Sequence, residues 1–133
     1  MKLISYAILI SFFVLGSANA GEKIETEELS LEELKSILVD HTYPIGGKSL
    51  KNAKGAMYFM NDETFEIVWE GRKGTGSWQV DGDSKFCYTN TLWSGRECIT
   101  LLRNITEGGF IHVFEGQKRV LKDGAIEKGR KIK

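Results

Sequence analysis

Apolar positions follow a helical period in one stretch of this sequence and an alternating period through most of what comes after. Leu31, Leu34, Ile37 and Leu38 recur at the spacing of one helix face, with Glu32, Glu33 and Lys35 facing away from it. Ser30 and Glu33 stand three residues apart as a capping box, which places the helix start at Leu31. Pro44 and Gly46-Gly47 break whatever follows, so the pattern predicts a helix near 31–39 that stops by Asp40. A helix of about ten residues is not stable alone in water, and its leucine stripe must dock on something.

From Ala56 onward the period is two. The alternation predicts strands at Ala56–Met60, Thr64–Glu70, Thr75–Asp81, Lys85–Thr91, Arg96–Arg103, Phe110–Phe114 and Lys118–Leu121. Turns fall at Gly71-Arg72-Lys73-Gly74, Asp81-Gly82, Ser94-Gly95, Gly108-Gly109 and Glu115-Gly116. Connections of about two to six residues force antiparallel neighbours, because a parallel crossover needs a dozen or more. The expected fold is mainly β (a β-rich α+β class). One N-terminal helix precedes a seven-stranded antiparallel meander curled into a small barrel or sandwich. Ile99–Leu102 and Phe110–Phe114 are apolar on both faces, so the helix is expected to cover the outer face there or to close one end. No fixed-period repeat or dividing linker interrupts the chain, which predicts one domain over 21–133. Its first residues, to Glu28, are polar and expected to be loosely ordered. Its basic tail is 125–133, and the last stretch, Lys128 to Lys133, is expected to fray.

The start of the chain changes the picture of where this domain works. Met1-Lys2 is a short positive start, Leu3 to Leu15 carries no charge, and Ala18-Asn19-Ala20 has the small-x-small pattern of a cleavage site. An apolar run of about 13 residues is too short to span ~30 Å of hydrocarbon. Residues 1–20 therefore read as a signal peptide cleaved after Ala20, and the mature chain is expected in the periplasm or secreted. No later stretch is long and apolar enough to predict a membrane span.

Export bears on the cysteines. Cys87 and Cys98 are the whole inventory, and an oxidising compartment favours one disulfide between them. A turn centred on Ser94-Gly95 would set Cys98 opposite Thr91. Direct pairing of the cysteines needs a turn at Leu92-Trp93 or a longer irregular loop, and the irregular loop is the expectation.

Charge and chemistry then narrow the function classes. Lys plus Arg and Asp plus Glu both total 18, which argues against sequence-independent nucleic-acid binding. His41 and His112 stand far apart without metal-site spacing, and no cofactor or metal is expected. Gly71, Gly74 and Gly76 precede a strand, not the helix N-terminus that a phosphate loop requires. Asp81, Asp83 and Ser84 lack the rest of a calcium loop. No catalytic set assembles. His112 shares its strand face with Phe110 and Phe114, and Glu66 and Glu70 lie on the polar face of theirs.

Gly74-Thr-Gly-Ser-Trp-Gln-Val-Asp-Gly-Asp, followed by Lys85-Phe-Cys-Tyr and Glu97-Cys98-Ile, resembles a family of small exported proteobacterial proteins, domain of unknown function 995. Thr42-Tyr-Pro-Ile and the run from Thr64-Phe to Trp69-Glu70-Gly71 follow the same layout, so the likeness covers roughly residues 35 to 122. It implies an exported β-rich domain and lends no catalytic residue.

The leading expectation is a non-catalytic binding module for a small apolar ligand in the barrel mouth, or for an envelope protein. Trp69, Trp93 and His112 are its candidate ligand-binding residues. Trp93, beside Ser94-Gly95, is expected either to be exposed at a loop tip as a binding anchor or to fold back and cap the core. The alternatives are an envelope hydrolase using a carboxylate pair (Glu66, Glu70) or His112, and a structural protein anchored by its basic tail. Residues 22–40 hold seven acids and two bases, against two acids and seven bases in 118–133. The mature protein is expected to be a monomer or weak dimer.

Overall fold

Ser30 starts helix α1 (Leu31–Leu38) through the capping box, its Oγ accepting from the Glu33 N–H at 3.1 Å while Glu33 Oε1 accepts from the Ser30 N–H at 3.0 Å. The computed structural model describes residues 23–132, and the expected signal peptide lies outside the described residues. Ten strands accompany the helix: β1 (Thr26–Glu27), β2 (His41–Ile45), β3 (Gly55–Phe59), β4 (Thr64–Trp69), β5 (Arg72–Val80), β6 (Lys85–Asn90), β7 (Glu97–Asn104), β8 (Phe110–Phe114), β9 (Gln117–Leu121) and β10 (Glu127–Lys128). They form one antiparallel sheet in the order β9-β8-β7-β6-β5-β4-β3-β2-β10, with β1 pairing the far end of β7. The sheet curls into a half-barrel, and no ladder joins β9 to β2 or β10 among the described residues.

All seven expected strands are present. The three additional ones are short, or carry a residue that reads as a breaker. Pro44 lies inside β2, opposite Ala56. It has no N–H to donate, and beyond Thr42 the outer edge of β2 has no partner strand, so the sheet loses nothing there. Two turns differ from expectation. The chain reverses at Glu70-Gly71, not over 71–74, because both residues adopt positive φ (50° and 85°) and Trp69 pairs Arg72 directly. The turn after β5 is longer than the two residues Asp81-Gly82 and runs to Ser84. The extra length delivers a clasp: Ser84 Oγ accepts from the Leu29 N–H at 2.6 Å, and the Ser84 N–H donates to the Leu29 carbonyl at 2.9 Å. The N-terminal segment is thereby tied down, and Thr26–Glu27 is a strand where loose chain was expected.

The basic end does not fray. Ala125 is buried, Glu127 and Lys128 pair with Thr42 and His41, and the Lys131 N–H donates to Thr42 Oγ1 at 2.9 Å. Arg130 Nε meets Glu66 Oε1 at 2.6 Å and Lys128 meets Asp40 at 3.8 Å, so part of the tail's charge is answered within the fold.

The inner face of the sheet carries Tyr43, Met57, Phe59, Phe65, Ile67, Trp78, Phe86 and Leu101, joined in one cluster by Leu34 and Leu38 of the helix. Phe59 stacks edge-on against Trp78 at 4.7 Å and Phe86 at 5.8 Å. The Asp40 N–H, at the helix exit, donates to the Phe59 carbonyl, and Trp78 Nε1 donates to the Asn61 carbonyl. Of the two expected placements the second holds: α1 closes one end of the barrel.

On the outer face Cys87 pairs Cys98 directly across β6 and β7, and the two are joined in a disulfide with Cα atoms 4.0 Å apart. The intervening loop is irregular, as direct pairing requires. On the entropic account, closing this loop removes about 3 kcal/mol of denatured-chain freedom. The Cys87→Ala/Cys98→Ala protein is expected to fold and to melt roughly 10 °C lower. Thermal unfolding followed by circular dichroism checks this, and alkylation of the unfolded, unreduced protein is expected to add no group.

Candidate functional site

The barrel end opposite α1 is where strands β2, β4, β6 and β8 finish and β7 and β9 begin. Among the described residues the one α-helix lies at the other end, and this mouth is built from strand termini and the loops that join them. Ile45 ends β2, Trp69 ends β4, Glu97 opens β7, Phe114 ends β8, and His112 and Arg119 stand midway along β8 and β9. Together with Gly46, Tyr88, Trp93 and Ile99 they line a cavity of about 420 Å³, within the range of small-molecule sites. The structure thus brings Trp69, Trp93 and His112 into one place.

Of the two expected placements of Trp93 the structure shows the folded-back one. Asn90 Oδ1 accepts from the N–H groups of Leu92 and Trp93 at 2.7 and 3.3 Å, bending the chain as it leaves β6. Thr91 is tied to Thr75 in both directions, its N–H to the Thr75 carbonyl and the Thr75 N–H to its Oγ1. The loop lies close only because Gly74 has no side chain: a Cβ there would come within 2.6 Å of Thr91 Oγ1 and 2.9 Å of Leu92. Trp93 folds back half-buried and meets Trp69 edge-on at 6.2 Å.

The cavity floor is a buried polar pair. Tyr43, wholly buried on β2, lies 2.6 Å through its hydroxyl from His112 Nδ1. The hydroxyl has no other acceptor among the described residues, so donating to Nδ1 satisfies both groups and leaves the imidazole proton on Nε2. Burial first, and the nearby Arg119 guanidinium second, push the His112 pKa down from 6.5 to about 4. At neutral pH the floor is therefore an uncharged imidazole. Burial also raises the Tyr43 hydroxyl, while burial and then the Glu97 carboxylate raise Tyr88, whose hydroxyl donates to Glu97 Oε1 at 2.7 Å.

Arg119 stands beside His112 in the β8–β9 register. Its Nε and Nη2 are buried and have no hydrogen-bond partner among the described residues, and the same holds for Trp93 Nε1. A buried, unpaired donor ordinarily costs about 1–3 kcal/mol, more when charged. Three lie around this one cavity.

The sequence pointed to neither Arg119 nor Glu97. The signal was present: Arg119 is two residues from buried Leu121 and Glu97 two from buried Ile99, so alternation puts both on the inner face. Glu66 and Glu70 do not join the site. Glu66 lies on the outer face, held by Arg130, and Glu70 is exposed in the turn.

Comparisons with protein-family models, curated proteins and solved structures found no match. The site is therefore interpreted from its own geometry.

The depressed His112 pKa makes stability depend on pH. Between pH 6.5 and about 4 the unfolded chain takes up a proton that folded His112 refuses, so the contribution is complete above about 6.5 and lost as pH falls through about 4. By pH 4 the native protein is expected to lose about 3 kcal/mol more, relative to its own value at pH 7, than the His112→Gln variant. Urea unfolding of both proteins across that range checks it.

Proposed function

We propose that this protein is an exported, non-catalytic binding module that takes a small apolar molecule in the mouth of its half-barrel. The observation that carries this reading is the mouth cavity itself, walled by Ile45, Trp69, Trp93, Ile99 and Phe114 while the opposite end is packed. Apolar walls with a few convergent polar groups are the usual make-up of a small-molecule site. The leader-like pattern of Met1–Ala20 and the Cys87–Cys98 disulfide support an exported setting. A disulfide across the strands that bracket the Trp93 loop also favours a preformed site, since it limits how far the loop can open.

The test is titration with N-phenyl-1-naphthylamine, a neutral apolar dye whose emission rises in apolar surroundings. Saturable enhancement at micromolar dye is expected, weakened about tenfold or more in Trp93→Ala, whose fold is verified by circular dichroism. Absence of saturable enhancement, or an unchanged titration in the folded variant, overturns the reading.

A further inference from the structure

Resting on that reading, we infer that the mouth selects organic monocarboxylates: a carboxylate head held by Arg119 and Trp93, with an apolar body lying along Trp69, Ile45, Ile99 and Phe114.

The head group follows from the unpaired donors. Nε and Nη2 are the two nitrogens of one edge of a guanidinium, and their N–H groups run parallel at the spacing of the two oxygens of a carboxylate. Both are buried and unpaired among the described residues, as is Trp93 Nε1, and Arg119 and Trp93 both line the cavity. No carboxylate of the described residues lies within ion-pair distance of Arg119, although Glu97 lines the same cavity. Glu97 is engaged elsewhere, accepting from the Tyr88 hydroxyl. All three unpaired groups are donors, so the ligand must bring acceptors. His112, with its proton on Nε2, adds a fourth donor to the cavity floor and accepts nothing from the ligand.

The charge of the head follows from the balance of the lining. One guanidinium answers one negative charge. A second charge on the ligand, as in a phosphate monoester, would go unanswered and would face Glu97. A compact inorganic anion would leave the aromatic and branched walls unused. A monocarboxylate with an apolar body uses both halves of the cavity.

The experiment sets the native protein, loaded with N-phenyl-1-naphthylamine, against decanoate and 1-decanol in parallel at pH 7.5, where decanoate is ionised. Decanoate is expected to displace the dye at a concentration at least tenfold below that of 1-decanol. In Arg119→Met, with displacement scaled to that variant's own dye affinity, the preference is expected to be lost, decanoate and 1-decanol displacing the dye equally. The Arg119→Lys variant retains the charge without the paired N–H edge, and is expected to keep only part of the preference. Dye bound and displaced equally by both compounds overturns the carboxylate inference while leaving the apolar site standing. A preference that survives intact in Arg119→Met also overturns it. Dye that does not bind the native protein overturns this inference together with the reading on which it rests.

Discussion

The one α-helix among the described residues, eight residues and about 12 Å long, can close only one end of a curled sheet whose strands run to nine residues. That limit organises the rest of the molecule. At the closed end Leu34 and Leu38 share one continuous buried cluster with Phe59, Trp78 and Phe86. At the other end the described residues offer only a single 3-10 turn, Leu50–Asn52 in the β2–β3 connection, and none of its residues is buried. Side chains from strand termini and a folded-back loop must suffice, and they leave a cavity.

The Tyr43–His112 hydrogen bond marks the boundary between these two halves. Below it Tyr43 stacks edge-on with Phe86, and above it His112 faces the cavity beside Arg119. The pair is tolerable in a low-dielectric interior only while uncharged, and the neighbouring guanidinium reinforces that by opposing a second positive charge. Neutral imidazole and unpaired guanidinium therefore belong to one arrangement. The positive charge of the mouth is concentrated on Arg119 and is not shared with the floor.

Rigidity at the mouth has a separate origin. The Trp93 loop is fixed by the disulfide across β6 and β7, by the Asn90 side chain, and by the close approach that Gly74 on β5 permits. Leu92 and Trp93 also pack against the edge of the core. The closed end is held by packing that involves most of the chain, while the open end adds a covalent tie and a few hydrogen bonds. A site of this kind keeps its shape without a filled interior behind it.

The sequence by itself determined the elements whose signals are local. Spacing and the Ser30–Glu33 box defined the helix, alternation defined the seven longer strands, and short connections made them antiparallel. The irregular loop that lets Cys87 face Cys98 followed from turn chemistry. What tertiary structure decided was everything that depends on a neighbour distant in sequence. Pro44 reads as a breaker until an unpartnered sheet edge makes it harmless, and the basic tail reads as free until Thr42, Asp40 and Glu66 engage it. Trp93 reads equally as an exposed anchor or a cap on the core until Gly74, on another strand, lets its loop lie flat. The site shares this division: alternation puts Arg119, Glu97 and His112 on the inner face, but only curling brings β2, β4, β7, β8 and β9 around one opening. The physical reason is range. Periodicity and capping act within a few residues of chain, whereas a cavity is a property of the space between surfaces and has no position in the sequence.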